Sequence, residues 1–296
     1  MIYHHDLHPI LFHLGPLAGT WYGLMYAMGF LAFYWGALHT SRAPDALVVE
    51  KDVGSLFTYG ILGLLIGGRL GYVLFYGGSE YLFEPWRILQ TWKGGMSFHG
   101  GLLGVTAAIF LFARRYDYSP LRIGDFGIPW IAIGIGLGRV GNFINGELYG
   151  KPTDGTWGVI FPSDTLAVPR HPSQLYEAVL EGLVVFLVLQ WLRIKVKDRP
   201  GIQPAAFLVL YGFGRFLVEF VRLPDAHIGY TMGWITRGQM LTVPMILAGA
   251  IWLYFIFRAE PQPPPVVQQQ GGGPLPGKSE SGKSGKASGG KKNKKR

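Results

Sequence analysis

The stretch "IPWIAIGIGLGRVGNFINGELYG", residues 128–150, joins an apolar run to a segment rich in glycine and polar groups. Its last thirteen residues hold one arginine, two asparagines, one glutamate and four glycines. An arginine in hydrocarbon costs several kcal/mol, so it normally faces a cavity or a partner. The stretch therefore predicts a membrane helix that ends in a polar site.

Apolar runs of this kind recur along the chain, of which 49% is hydrophobic and only 15% charged. A soluble protein carries about 25% charged residues, and a membrane span needs roughly 20 mostly apolar residues. The sequence therefore predicts an all-α polytopic membrane protein whose membrane domain fills residues 1–258. Its seven predicted transmembrane helices cover about 17–38, 53–76, 95–113, 123–144, 174–192, 202–221 and 239–257.

The distribution of lysine and arginine predicts the orientation of these helices. Of the 27 basic residues, 18 lie on one side of the predicted membrane, six on the other and three within spans. Because the more basic side is usually cytoplasmic, the N-terminus is expected in the periplasm and the C-terminus in the cytoplasm. The segment 259–296, rich in Pro, Gln, Gly, Ser and Lys, is predicted to be a disordered basic cytoplasmic tail. We interpret its charge as that of a solvated tail rather than of a nucleic-acid-binding site.

Three arginines lie within predicted spans, and each follows a glycine: Arg69 in "GGRLGY", Arg139 in "LGRVGN" and Arg215 in "FGRFLVEF". All three fall at one depth, near the outer end of a span. A guanidinium group matches the oxygens of a phosphate, and a phosphate at this depth belongs to a phospholipid. The three arginines therefore predict one pocket that opens to lipid and binds a phospholipid headgroup.

Two other classes of protein place arginines inside a membrane. In a structural scaffold, Glu219 would neutralise Arg215, and Glu147 would neutralise Arg139 or Arg69. A channel or transporter for an anion or lipid would continue its polar residues into the cytoplasmic half of the bundle. The inner halves at 105–113 and 183–192 are nearly all apolar, which favours a cavity open on one side only.

Other polar side chains are expected at the same outer level. His99 lies between glycines in "GGMSFHGG", and a neutral histidine accepts a proton near neutral pH. Asn142 and Asn145, three residues apart, would bind glycerol hydroxyls or hold the chain's own backbone. The chain has no cysteine, so a reacting thiol has to come from a substrate. The histidines at positions 4, 5 and 8 are treated as incidental, and no metal or cofactor is predicted.

The segment "GRVGNFINGELYG" at 138–150 resembles the signature of the prolipoprotein diacylglyceryl transferase family. The order of the motifs also matches that family, from about residue 12 to 258. The further motifs are "WYGLMY" at 21–26, "GGRLGYVLFY" at 67–76, "GGMSFHGG" at 94–101, "RHPSQLYE" at 170–177 and "YGFGRFLVEFVRLPDA" at 211–226.

The resemblance implies a reaction, its partners and its location. The diacylglyceryl group of phosphatidylglycerol passes to the lipobox cysteine of a preprolipoprotein, a thioether forms, and glycerol phosphate leaves. The enzyme lies in the bacterial inner membrane among membrane lipids, with its active site facing the periplasm. The resemblance implies catalytic roles for His99, Arg139 and Arg215, with His99 either the base or only a positioning group. The substrate-binding residues expected are Tyr22, Arg69, Asn142, Asn145, Glu147, Gly150, Tyr211 and Glu219.

Overall fold

Long helices form most of the computed structural model, which describes residues 1–15, 17–78, 80–223, 230–231 and 235–263. Within those residues each of the seven predicted apolar runs falls on one long helix. These are α1 (Trp21–Ser41), α2 (Glu50–Phe75), α3 (Phe98–Tyr116), α4 (Pro120–Ile144), α5 (Ser173–Lys195), α6 (Ile202–Val218) and α7 (Arg237–Arg258).

The length and composition of these helices fit a membrane. Among the described residues, α2, α4, α5 and α7 are long and apolar enough to cross a bilayer, and α6 is a shorter apolar helix. Large apolar side chains remain exposed on the outer faces of the helices, including Leu65 and Ile66 on α2 and Leu247 and Ile251 on α7. Such a surface needs lipid around it. The chain is therefore a mostly helical, multi-pass membrane protein.

Short strands, which the all-α prediction omitted, accompany the helices in the described residues. β1 (Ile2–His4) pairs in parallel with β4 (Gly158–Ile160), and β2 (Ile10–Leu14) pairs antiparallel with β3 (Leu17–Thr20). A third pair joins β5 (Tyr230–Thr231) to β6 (Ile235–Thr236). The first span was predicted from residue 17, and that start was wrong because 17–20 are extended.

Side-chain caps mark where several helices begin. α1 starts after Thr20, whose hydroxyl accepts a hydrogen bond from the Gly23 amide at 3.0 Å. α7 starts after Thr236, which forms a reciprocal capping box with Gln239. These contacts satisfy amide groups that a helix start otherwise leaves without partners.

Glycines let α2 and α3 pack closely, as the glycine-rich second span predicted. A methyl group built on Gly63 or Gly67 would come within 2.5 Å of the carbonyl oxygen of Gly104 or Gly100, respectively. Small residues at four-residue spacing are the usual basis of such helix pairs in membranes. This pair is one side of the bundle, while α4 packs between α1 and α5 on the other.

The predicted tail begins at residue 259, and its residues from 264 onward lie outside the described residues.

Candidate active site

Arginines from two helices meet at a buried glutamate of a third helix. Arg139 on α4 approaches Glu177 on α5, with 3.2 Å between Nη1 and Oε2. Arg215 on α6 forms an ion pair with the other oxygen of the same carboxylate. The Glu177 side chain has no exposed surface, so it holds the two guanidinium groups together from within the protein. The predicted meeting of Arg139 and Arg215 is therefore present in the structure.

Three further residues complete an ion-pair cluster around this contact. Glu181 lies 3.3 Å from Nη2 of Arg139, and Glu219 forms an ion pair with Arg215, as the sequence predicted. Nη1 of Arg222 donates to Oε1 of Glu177 at 2.8 Å. We call Arg139, Arg215, Arg222, Glu177, Glu181 and Glu219 the ion-pair cluster. Its three positive and three negative formal charges cancel.

The local structure of α5 explains why two of its glutamates face the arginines. Glu177 and Glu181 are four residues apart, and the segment Ala178–Val184, which follows Glu177 and includes Glu181, is π-helical. Such segments are rare and occur often at functional sites. A methyl group on Gly182 would lie 2.5 Å from the Gly136 Cα, so these glycines bring α4 and α5 into contact beside the cluster.

Both arginines remain partly accessible despite their carboxylate partners. The exposed fraction of the side chain is 19% for Arg139 and 15% for Arg215, whereas it is 0% for Glu177 and Glu181. The carboxylates lie behind the guanidinium groups and orient them. Part of each arginine side chain therefore remains accessible.

A second polar group surrounds Glu147 in the turn after α4. Nδ2 of Asn142 donates to Oε1 of Glu147 at 2.8 Å, and Nδ2 of Asn145 donates to the same atom at 3.4 Å. The expectation that Glu147 neutralises Arg139 or Arg69 was wrong, because its carboxylate accepts hydrogen bonds from these amides instead. Tyr22 at the start of α1 lies beside this group and shares a 3.2 Å hydrogen bond with Tyr26.

Residues 147–150, at the end of the signature, form hydrogen bonds with the start of α5 and with the loop before it. The Gln174 amide nitrogen donates to the Glu147 carbonyl oxygen at 2.6 Å, and the Ser173 hydroxyl donates to that of Leu148 at 3.1 Å. The Gly150 amide donates to the His171 carbonyl oxygen at 2.8 Å. Gly150 therefore acts through its backbone, at the junction of the turn and the start of α5.

Tyr211 lies on α6 one turn before Arg215 and close to Arg139. It therefore lies next to two arginines of the cluster, Arg139 and Arg215.

Arg69 is placed apart from the other two intramembrane arginines. Its side chain is 5% exposed and donates to backbone carbonyls of the α2–α3 connection, at 2.8 Å to Ile88, 2.7 Å to Gly94 and 2.9 Å to Gly95. Nη2 also donates to the Arg87 carbonyl oxygen at 2.6 Å. The described contacts of Arg69 lie in this connection rather than in the ion-pair cluster. The expectation that all three arginines meet was therefore wrong for Arg69, whereas Arg139 and Arg215 share Glu177.

His99 is exposed at the second residue of α3. Its ring meets that of Phe98 edge to face at 5.6 Å, and it makes no hydrogen bond within the described part of the chain. The structure gives no contact between His99 and the ion-pair cluster.

Glu177, Glu181 and Arg222 were not among the predicted site residues. The signal for the first two was present, because two glutamates four residues apart in an apolar run are as costly as an arginine there. Arg222 was counted as a loop residue, because the sixth span was predicted to end at residue 221. Only the packing of α5 against α4 and α6 shows that all three reach one point.

The loop between the turn after α4 and the start of α5 is held by a buried ion pair. Asp164 and Arg170 form a two-pronged ion pair at 2.6 and 2.8 Å, and both side chains are buried. The Arg170 guanidinium holds the pKa of the Asp164 carboxyl below its usual value. His5 follows β1, is buried, and its Nε2 lies 2.8 Å from the Phe143 carbonyl oxygen. His171 follows Arg170 in the loop before α5, and burial lowers its pKa.

Comparisons with known proteins agree with the resemblance noted from the motifs. A family profile described as "Prolipoprotein diacylglyceryl transferase" matches residues 9–255. A protein of Coxiella burnetii named phosphatidylglycerol–prolipoprotein diacylglyceryl transferase is 46% identical over 260 residues, covering 87% of this chain and 98% of the relative. A protein of the same name from Oleidesulfovibrio alaskensis is 48% identical over 264 residues, covering 88% of this chain and 98% of the relative. One from Marinomonas sp. is 46% identical over 251 residues, covering 84% and 93%.

Proposed function

The chain belongs to the prolipoprotein diacylglyceryl transferase family, and on this basis we propose that the ion-pair cluster is where its lipid substrate reacts. The chain is a transferase of lipoprotein maturation that takes the diacylglyceryl group from phosphatidylglycerol and gives it to a prolipoprotein. The observation that carries the proposed site is the meeting of Arg139 and Arg215, from two helices, at the buried Glu177.

The reaction breaks a carbon–oxygen bond and forms a carbon–sulfur bond. The sulfur of the lipobox cysteine attacks the sn-3 carbon of the diacylglyceryl group, and the phosphate leaves with the electron pair as glycerol phosphate. The thiol proton passes to an acceptor. A cysteine thiol has a pKa of about 8.5, so only a small fraction is ionised near neutral pH. Positive charge beside the sulfur and the phosphate lowers the barrier to both bond changes.

The accessible faces of Arg139 and Arg215 supply this charge. Each guanidinium group is held from behind by carboxylates and presents its remaining N–H groups to a phosphodiester. Because the formal charges of the cluster cancel, the arginines act through their fixed orientation at short range rather than through an excess of positive charge. As the phosphate becomes a monoester it gains a second negative charge, and the same groups stabilise it.

The group around Glu147 is suited to the glycerol part of the headgroup. Glu147 accepts hydrogen bonds from Asn142 and Asn145, and the Tyr22 hydroxyl of α1 lies beside this group as a further donor. Glycerol hydroxyls both donate and accept, so these side chains fit them. The backbone contacts of Gly150 hold this turn against α5, and Tyr211 and Glu219 orient the two arginines.

Two groups are candidates for the acceptor of the thiol proton. His99 has an exposed imidazole with no hydrogen bond among the described residues, which leaves it open to a substrate. Glu181 lies in the cluster itself, 3.3 Å from Arg139. Whichever of the two groups accepts the proton, Arg69 holds the α2–α3 connection next to His99 in place and does not contact the phosphate.

The location of the site follows from the proposed orientation of the bundle in the bacterial inner membrane. All seven long helices cross the bilayer, the N-terminus is periplasmic and the segment after α7 is cytoplasmic. Arg139 and Arg215 then lie at the outer ends of α4 and α6, level with phosphate groups of the outer leaflet. The lipid enters sideways from that leaflet, and the signal peptide docks from the membrane.

The assay combines purified full-length protein with phosphatidylglycerol vesicles and a lipobox peptide, and it measures the thioether product and glycerol phosphate. Arg139→Ala and Arg215→Ala should each lower turnover by about a hundredfold or more, because each removes a donor to the leaving group. Arg139→Lys should recover little, since an ammonium group lacks the planar fork. Arg87→Gln is the control, because it changes an exposed outer arginine that pairs with Glu80 and Glu84.

Turnover near that of the wild type in folded Arg139→Ala would remove the cluster from the reaction while leaving the family membership intact. The same assay identifies the proton acceptor from the pH dependence of turnover in His99→Gln and Glu181→Gln. The variant that loses the acidic limb of the profile identifies the acceptor. If His99→Gln keeps that limb and its activity, His99 is not the base.

A further inference from the structure

A second polar pocket lies at the end of the bundle away from the ion-pair cluster. It has a volume of about 260 Å³ and is formed by the loop after α1, the starts of α4 and α6 and the end of α5. Arg122 in its wall precedes Arg139 by seventeen residues on α4, about 26 Å along the helix axis. We call it the inner pocket, and it is separate from the site described above.

The lining of the inner pocket carries more positive than negative charge. Arg122, Arg193, Lys197 and Arg199 line it together with Asp45 and Asp125. Both carboxylates already have partners. Asp45 pairs with Lys197 at 2.6 Å, and Asp125 accepts the backbone amides of Gly201 and Gln203 at 2.8 and 3.0 Å. The excess charge of the lining is therefore positive.

Arg193 contributes one of these positive charges and makes few hydrogen bonds of its own. Its Nε donates to the Gln190 side chain at 2.9 Å, and its terminal nitrogens have no hydrogen bond to another described residue. The side chain is partly buried at the end of α5. By contrast, Arg122 uses both terminal nitrogens on carbonyl oxygens of Lys197, Gln262 and Pro263. Arg193 is thus the group best placed to receive an anion.

Gln203 is an independent indication of a ligand in the inner pocket. Its side chain is 1% exposed, and neither its amide oxygen nor its amide nitrogen has a hydrogen-bond partner among the described residues. A buried polar group without a partner costs about 1–3 kcal/mol. A ligand with a hydroxyl group would satisfy both atoms, because a hydroxyl donates and accepts.

We propose that the inner pocket binds a phosphate ester that carries a free hydroxyl, with Arg193 on the phosphate and Gln203 on the hydroxyl. The volume is below the roughly 300–1,000 Å³ of pockets for drug-sized ligands, so it takes a headgroup and not a whole lipid. On the proposed orientation the inner pocket faces the cytoplasm. The phosphate ester then comes from an anionic phospholipid of the inner leaflet or from a soluble glycerol phosphate.

The experiment compares full-length wild-type protein with Arg193→Gln and Gln203→Leu, and Arg115→Gln is the matched control. Arg115 is an exposed arginine near the end of α3 that does not line the inner pocket. Each protein is studied in nanodiscs of phosphatidylglycerol or of phosphatidylcholine, and in detergent with added glycerol 3-phosphate. Mass spectrometry counts the retained lipid, thermal unfolding reports ligand binding, and the transferase assay shows whether the outer site is intact.

We expect Arg193→Gln and Gln203→Leu each to bind at least about tenfold more weakly, because the first loses charge-assisted hydrogen bonds to the phosphate and the second loses the hydrogen bonds to the hydroxyl. Transferase activity and the Arg115→Gln control should be unchanged. Loss of one retained phosphatidylglycerol identifies a lipid site, and loss of stabilisation by glycerol 3-phosphate alone identifies a soluble ligand.

Gln203→Leu without ligand should be at least as stable as the wild type, because it removes an unpaired buried amide. If both variants retain the lipid count and the glycerol 3-phosphate response of the wild type, the proposal is overturned. It is also overturned if neither probe binds the wild type at the inner pocket.

Discussion

At the residue scale, the surroundings of an intramembrane arginine determine what it does. Arg69 and Arg139 both follow a glycine in the C-terminal part of a helix. The Arg69 guanidinium group donates its hydrogen bonds to backbone carbonyls of the α2–α3 connection, whereas Arg139 contacts carboxylates and stays partly accessible. The first arrangement stabilises a loop, and the second leaves part of the arginine side chain accessible.

Replacing Arg69 by methionine should therefore act on stability. The substitution leaves carbonyl oxygens at Arg87, Ile88, Gly94 and Gly95 without their donor, at a total cost of about 2–4 kcal/mol once water has replaced some bonds. Thermal unfolding of Arg69→Met should show this loss, and hydrogen exchange should increase at 87–97. The control Arg87→Gln breaks only exposed ion pairs, with Glu80 and Glu84, and should cost less than about 1 kcal/mol. If Arg69→Met has normal stability but binds phosphatidylglycerol more weakly, Arg69 belongs to the substrate site instead.

The Asp164–Arg170 pair should make stability depend on pH. The Arg170 guanidinium lowers the pKa of Asp164 in the folded protein below the unfolded value of about 3.9. A lowered folded pKa contributes stability above the unfolded value, and this contribution is lost as the pH falls through the folded pKa. Asp164→Asn should thus be about 2 kcal/mol less stable at pH 7, because it loses charge-assisted hydrogen bonds. The difference should narrow below about pH 4 in unfolding measurements, and a constant difference from pH 7 to pH 3 would contradict this origin.

At the element scale, close contacts between helices decide which side chains meet. The π-helical segment of α5 and the contact of Gly136 with Gly182 bring two glutamates of α5 to Arg139. The same kind of contact joins α2 to α3. Such contacts leave no room for a side chain, so substitutions there act through the position of a whole helix.

Gly67 and Gly60 on α2 provide a matched test of this packing. A methyl group on Gly67 would lie 2.4 Å from the Gly100 carbonyl oxygen, whereas one on Gly60 meets nothing within 4 Å. Gly67→Ala should therefore separate α2 from α3 and lower the unfolding temperature. Gly60→Ala should leave the unfolding free energy unchanged or raise it by up to about 1 kcal/mol, because alanine favours helix. Equal effects of the two substitutions in thermal unfolding would show that this contact does not stabilise the helix pair.

At the scale of the whole molecule, the proposed orientation puts the signature turn outside and the inner pocket inside. The chain has no cysteine, so single cysteines report their own position. Asp154→Cys in the exposed loop after the signature should react with a membrane-impermeant maleimide in intact cells. Ser119→Cys, exposed between α3 and α4, should react only after lysis. The reverse pattern would invert the topology and would move the ion-pair cluster to the cytoplasmic leaflet.

The sequence by itself determined the helical membrane architecture, the family and the pairing of Arg215 with Glu219, because these depend on local composition and on spacing along one helix. It did not reveal the short strands around 2–20, whose alternation is too brief to read. Tertiary structure alone decided that Glu177, Glu181 and Arg222 join Arg139 and Arg215, and that Arg69 does not. Residues far apart in sequence meet only where helices pack. That packing also determines whether a buried arginine contacts backbone carbonyls, contacts carboxylates or stays partly accessible.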